Sequence, residues 1–138
     1  MKIFIDANVF LDVLQKRRGW ESSFAIRKGV VEGIHEGHIS ALSVAVIYFL
    51  TLGRTNYKTA RSETQKISEG FKIVDLTDSV IQKAFGEKRI EDLEDALQFH
   101  SAKEAAKVFI TRNKRHFEKV KDEIEVLTPE EFLKKYKA

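Results

Sequence analysis

The sequence predicts an α/β fold: a three-layer α/β/α sandwich around a central, mainly parallel sheet. Three observations carry this expectation. Lys2-Ile3-Phe4-Ile5 is a short apolar run that stops at Asp6. Val108-Phe109-Ile110 is a second such run, and it stops at Thr111-Arg112-Asn113. Between and around them lie stretches whose apolar residues recur at helical spacing. A chain of 138 residues, 43% hydrophobic and 33% charged, is long enough to build one core. With one proline and no Gly/Ser-rich tract, no linker is visible, so residues 1–138 read as a single domain.

Taken in order, residues 2–5 read as a buried first strand. Residues 8–15 follow as a helix with Val9, Phe10, Val13 and Leu14 on one side. Residues 21–36 read as a second helix closed by Gly37, which leaves His35 and His38 in a solvated turn. A third helix from Ile39, residues 40–52, is apolar nearly all round and therefore reads as buried, with Tyr48 and Phe49 in the core. Residues 57–69 form an amphipathic helix ending at Gly70, and residues 71–76 a strand. Thr77 is placed to cap the helix that runs to Phe85. Residues 92–107 carry Leu93, Ala96, Leu97 and His100 spaced for burial, with His100 as a hydrogen-bonded core histidine. The strand 108–110 comes next and the strand 124–127 last. Thr128-Pro129-Glu130-Glu131 then opens a terminal helix, with a cap and a proline at its first position.

The composition excludes several functions. Zero cysteines rule out a disulfide scaffold, a zinc-thiolate site, an iron–sulfur cluster and a cysteine nucleophile. The longest apolar stretch, residues 39–52, is broken by Ser40, Ser43 and Thr51 and is too short to span a bilayer. Asp6 and Asp12 fall where a signal peptide needs unbroken apolar residues. The expectation is a soluble, cytoplasmic protein without a membrane partner. Scattered glycines give no phosphate-binding loop, and neither a Gly-x-Ser-x-Gly elbow nor a His-Glu-x-x-His motif occurs. The net charge of +3 is too small to name a partner. Its distribution says more, because residues 103–121 hold seven lysines and arginines against Glu104, Glu118 and no other acid before the closing Lys121. A solvated helix face is the ordinary explanation of such a run.

In parallel sheets ligands gather beyond the carboxyl ends of the strands. That rule selects Asp6 after the first strand and residues 111–113 after the strand 108–110. Asp6 fits two roles equally, a helix N-cap and a sheet-edge carboxylate. Asp92 and Asp95 share one face at the start of a helix, where acids also favour the helix dipole. Glu91-Asp92-Leu93-Glu94-Asp95 nevertheless holds more acids than capping requires, and a bound cation relieves their repulsion. Mg²⁺ takes such oxygen ligands together with waters and substrate phosphates, and suits phosphodiester hydrolysis.

The segment Met1-Lys2-Ile3-Phe4-Ile5-Asp6-Ala7-Asn8-Val9-Phe10-Leu11-Asp12 resembles the opening of PIN domains, including VapC-type toxin ribonucleases. Asp92-Leu93-Glu94-Asp95-Ala96-Leu97-Gln98-Phe99 is similar to their central acidic helix, and residues 109–117 to their closing strand and turn. Val126-Leu127-Thr128-Pro129-Glu130-Glu131-Phe132 resembles one PIN subgroup. The resemblance runs in order from Lys2 to Leu133. It implies a PIN-like fold, a Mg²⁺ or Mn²⁺ cofactor and single-stranded RNA as substrate. It also implies a homodimer and a small antitoxin protein as partner.

Carried over residue by residue, the resemblance makes Asp6, Asp95 and Asn113 the catalytic set, with Asp92 joining them around the metal. Thr111 plays a secondary role near the acids, and Arg112, Lys114 and Arg115 hold RNA phosphates. Two positions depart from the family pattern: Val46 stands where the buried helix should carry a Glu, and His116 where the turn usually has Asp. Glu91 or Glu94 is placed to compensate for the missing carboxylate. The resemblance therefore implies a metal-dependent endoribonuclease of single-stranded RNA, the toxin of a type II toxin–antitoxin pair. The alternative is a PIN-like module that has lost catalysis and acts through RNA or protein binding. A receiver-like phosphoacceptor fits less well, because its acids cluster before the first helix.

Overall fold

The computed structural model describes residues 1–136. These form five parallel strands: β1 (Lys2–Ile5), β2 (Glu36–Ser40), β3 (Lys72–Val74), β4 (Val108–Ile110) and β5 (Glu125–Leu127), in the order β3-β2-β1-β4-β5. The connecting helices are α1 (Ala7–Gln15), α2 (Trp20–Val31), α3 (Ala41–Leu52), α4 (Tyr57–Ser68), α5 (Asp78–Phe85), α6 (Leu93–Ala105) and α7 (Pro129–Tyr136). A short 3₁₀ segment, Lys114–Val120, follows β4.

Side chains alternate across a strand, and the alternation here builds a core on each face of the sheet. Ile3, Ile5, Val108 and Ile110 point to one face, where they meet Val9, Phe10, Ile26, Ile47 and Phe132. Phe4 and Phe109 point to the other and stack edge to face at 5.4 Å. Phe99, Phe117, Val120 and Val126 close that second core. Strands buried on both faces read as continuous apolar runs, which is why β1 and β4 are legible in sequence.

Several expectations are corrected. The second helix ends at Val31, and Glu36–Ser40 forms β2, parallel to β1 with Phe4 opposite His38. Gly33 turns the chain at φ 82. Gly37 lies inside the strand rather than closing a helix, because a Cβ there would come within 2.6 Å of Val30 and 2.7 Å of Phe71. His35 and His38 are consequently not solvated. His38 is buried and bonds Glu36 at 2.7 Å. Both ring nitrogens of His35 are buried without a partner among the described residues, and burial lowers its pKa.

Ile39 and Ser40 belong to β2, and α3 starts at Ala41 with the Ser40 hydroxyl accepting from the Ser43 amide. That helix is not buried all round: Phe49 is 68% exposed, because only one side of α3 rests on the sheet and α4 covers part of the rest. The predicted strand 71–76 is shorter, Lys72–Val74, and the predicted helix 92–107 spans Leu93–Ala105 with Asp92 as its cap. The basic run of residues 103–121 is divided among α6, β4 and the 3₁₀ segment and forms no single helix face.

Candidate functional site

The chain leaves β1 toward β2 and returns to β4 on the opposite side, so the direction of winding reverses between these neighbours. A crevice forms outside the carboxyl ends of the strands at such a reversal. Ile5 lies opposite Ile110, which makes Asp6 and Thr111 the first residues beyond the sheet on its two sides. The Asp6 amide donates to the Ile110 carbonyl at 2.9 Å, fixing the carboxylate at that edge.

Asp6 is 3% exposed. One carboxylate oxygen accepts from the Ala7 amide at 2.8 Å. The other accepts from the Thr111 hydroxyl at 2.8 Å and the Asn8 amide at 3.2 Å. Capping and sheet-edge placement thus coincide in one residue. Burial pushes its carboxyl up to about 7; the Thr111 and Ala7 bonds oppose that rise, and the charges of Asp95 and Glu94 add to it. Asp95 is close enough for its charge to be felt at Asp6, so the structure brings the two predicted carboxylates together.

Asp95 sits in the first turn of α6. Burial raises its pKa, and a 2.9 Å bond to His116 Nδ1 opposes the rise. Asp92 is exposed and caps α6 by accepting from the Asp95 amide at 3.0 Å. Glu94 is raised as well, by burial and then by Asp95 and Asp92. One turn further on, Gln98 accepts from the Ser40 hydroxyl at 2.8 Å and donates to the Ser43 hydroxyl at 2.9 Å. This buried pair of bonds ties α6 to the start of α3. Val46 packs its side chain against the core and brings no carboxylate to the edge.

Asn113 is exposed, and its amide donates to the Thr111 hydroxyl at 3.1 Å. Thr111 therefore links the loop after β4 to Asp6. The three basic residues of that loop differ in what holds them. Arg112 turns inward: Nε donates to Asp12 at 2.7 Å, Nη2 to the Gly19 carbonyl at 2.8 Å and the Ser23 hydroxyl at 3.2 Å, and Nη1 to Glu130 at 2.5 Å. Lys114 pairs with Glu131 at 3.0 Å. Arg115 is exposed and lines a cavity of about 510 Å³ beside Asp95.

Sequence reasoning missed the Arg112 clamp and the His116–Asp95 pair. No sequence signal announced the first, because the apolar side read for this helix (Val9, Phe10, Val13, Leu14) leaves Asp12 off it, and its burial comes from packing against Ser23 and Arg112. The second joins residues 21 apart, and no local pattern announces it.

The donor set suits a hard cation. Asp6 and Asp95 offer carboxylate oxygens, and the raised pKa of Asp6 marks a place where a cation would relieve both burial and repulsion. Among the described residues, no three His, Asp or Glu side chains converge into a closed cage. Mg²⁺ is commonly held by one or two carboxylates with waters and phosphates, so two carboxylates at an open edge fit it.

A family model described as PIN domain matches residues 2–115. Ribonuclease VapC1 of Aquifex aeolicus is 28% identical over 141 residues, covering 98% of this chain and 95% of its own. Among solved structures, VapBC2 of Rickettsia felis, bound to a DNA fragment from its promoter, superposes with a TM-score of 0.70 at 15% identity. It covers 91% of this chain and 97% of its own. VapBC-1 of nontypeable Haemophilus influenzae gives 0.67 at 16% identity, with 94% and 99% covered. Likeness at this identity establishes the fold.

Proposed function

The chain belongs to the PIN-domain family, and from that premise we propose that it is a divalent-metal-dependent endoribonuclease of single-stranded RNA. The observation that carries this reading is Asp6, buried at the sheet edge with its carboxyl raised to about 7 and within reach of the Asp95 charge. Asp6 and Asp95 would hold Mg²⁺ or Mn²⁺, with Asp92, which caps α6, and the Asn113 side-chain amide at the rim. Bound there, such an ion lowers the pKa of a water and stabilises charge on a phosphate.

The chain's own residues prepare that chemistry. The Ala7 amide and the Thr111 hydroxyl fix the two oxygens of Asp6, so the carboxylate meets a cation without reorganising. His116 orients Asp95 through Nδ1. With Arg112 and Lys114 engaged by carboxylates, Arg115 is left to meet RNA phosphate. The likeness to a toxin–antitoxin complex from Klebsiella pneumoniae, TM-score 0.65 at 18% identity, supports a toxin role with a small antitoxin as partner. The exposed Phe49 and Leu50 of α3 support a homodimer. Among the described residues no helix is long and apolar enough to cross a membrane.

Cleavage of a labelled single-stranded RNA tests the proposal. Activity with Mn²⁺ that disappears with EDTA and in Asp6→Asn/Asp95→Asn supports it. Inactivity of the folded wild type favours the second reading, a PIN-fold binding module, for which Val46 in place of a carboxylate is the specific observation.

A further inference from the structure

Three polar side chains that hold neither metal nor RNA in the reading above are fully buried at the carboxyl edge of the sheet: Ser40, Ser43 and Gln98. A buried amide or hydroxyl is costly unless its hydrogen bonds are made. Here they are made to one another. Ser40 Oγ accepts from the Ser43 amide at 2.9 Å, so its proton goes to Gln98 Oε1, 2.8 Å away. The Gln98 NH₂ donates to Ser43 Oγ at 2.9 Å, and the two hydroxyl oxygens lie 3.0 Å apart. Both ends of the Gln98 amide are therefore engaged, which fixes its orientation.

The triangle stands beside the two carboxylates. Ser40 ends β2, and continuing the register of Phe4 opposite His38 by two residues puts it level with Asp6. Gln98 lies three residues along α6 from Asp95, a spacing that shares one helix face. Its bonds also join two layers. On α3, Val46 and Ile47 pack into the core with Ile3 and Ile5, whereas on α6 Ala96 and Phe99 pack into the core with Phe4 and Phe109. Apolar packing is non-directional. Hydrogen bonds at both ends of one amide fix how far α6 has slid and rolled over the sheet edge. That placement matters more here because Val46 brings no carboxylate from α3. A cation shared by Asp6 and Asp95 depends on the separation of β1 and α6.

We propose that Gln98, Ser40 and Ser43 are positioning residues, whose hydrogen-bonded triangle sets α6 so that Asp95 stands at the reach from Asp6 at which both hold one divalent cation. They act through Asp95 and touch neither cation nor substrate. The inference rests on the metal-dependent nuclease reading, because that reading places the cation between Asp6 and Asp95. Residues that orient metal-holding side chains in this indirect way change metal affinity or activity by about 10–100-fold when removed. A misplacement of about 1 Å at a reacting centre is enough to cost about 100-fold in rate.

The test is Mn²⁺ binding to the full-length protein without RNA, followed by electron paramagnetic resonance. Gln98→Met keeps the length of the side chain and removes both of its bonds. We expect it to bind Mn²⁺ roughly tenfold more weakly. In RNA cleavage at saturating Mn²⁺, its kcat should fall about tenfold while KM stays within about twofold. Ile67→Ala on α4 opens a cavity in the core on the other face of the sheet, and should lose stability yet bind Mn²⁺ within about twofold of wild type. Gln98→Met/Ser43→Ala removes the hydroxyl that the single variant leaves unpaired. It should regain stability but bind Mn²⁺ as weakly as Gln98→Met, and it carries the test where the single variant does not fold. Unchanged Mn²⁺ affinity in Gln98→Met, an equal loss in Ile67→Ala, or affinity that returns with stability in the double variant would overturn the proposal. The two readings fail differently. A wild type that binds Mn²⁺, loses it in Asp6→Asn and never cleaves RNA removes the nuclease and leaves the positioning role. A wild type that cleaves, with Gln98→Met binding Mn²⁺ equally well, removes the positioning role and leaves the nuclease. A wild type that binds no Mn²⁺ removes both.

Discussion

Asp6→Asn should make the protein more stable and inactive at once. A carboxyl raised from 3.8 to about 7 by burial destabilises the folded state whenever it must ionise. At about 1.4 kcal/mol for each tenfold change in the ionisation equilibrium, the cost above pH 7 is about 4 kcal/mol. The amide avoids that charge but loses hydrogen bonds. Its oxygen keeps the Ala7 amide, while its NH₂ must face the Thr111 hydroxyl and the Asn8 amide, which now donate to Asp6. The Thr111 hydroxyl can rotate to accept; the Asn8 contact is lost, at a cost of about 1–2 kcal/mol. The net gain of about 2 kcal/mol corresponds to a rise in Tm of roughly 5–10 °C at pH 8 in EDTA.

The sign reverses with pH. A carboxyl with a raised folded pKa imposes no cost below its unfolded pKa and its full cost above its folded one. The wild type should therefore lose stability relative to the variant between about pH 4 and pH 7. The two should melt together near pH 5. Comparing their melts isolates Asp6 together with its coupling to Asp95 and Glu94, because the remaining groups titrate alike in both. Added Mg²⁺ should raise the wild-type Tm and leave the variant unchanged. A variant that melts below the wild type at pH 8, or a gap that does not narrow toward pH 5, refutes the reasoning.

Arg112→Met should lower stability by about 2–4 kcal/mol in chemical denaturation, because it leaves the buried Asp12 carboxylate without its partner. Gly19→Ala should cost about 1–2 kcal/mol: its φ is +83, and a Cβ would meet Arg112 Nη2 at 2.8 Å. Gly37→Ala, read by the same melts, should cost 2 kcal/mol or more (about the effect of overpacking a core), since Val30 and Phe71 leave no space beside β2. Acid should weaken the α5–α6 junction. Arg89 and His100 hold Glu87 down to about 2, so the stability it contributes is present above its ordinary range near 4.5 and is lost as pH falls toward 2. A Glu87→Gln variant should show a shallower acid melt than the wild type.

The sequence by itself determined the alternation of strands and helices, the two apolar strands that flank the candidate site, Asp6 at the end of the first of them, and Asp92 and Asp95 at the start of a helix. Those features are local: an apolar run, a cap residue and a helical spacing each act over a few neighbours. It did not reveal β2, because Gly37 and His38 are poor strand residues. Their place is set by close packing against Val30 and Phe71 rather than by propensity. Nor did it show that Arg112 turns inward while Arg115 stays free, since the carboxylates that decide this, Asp12 and Glu130, come from α1 and α7. The raised pKa of Asp6 also belongs to the tertiary structure. Burial under the folded sheet edge and the approach of α6 create it, and neither exists in the chain as a string of residues.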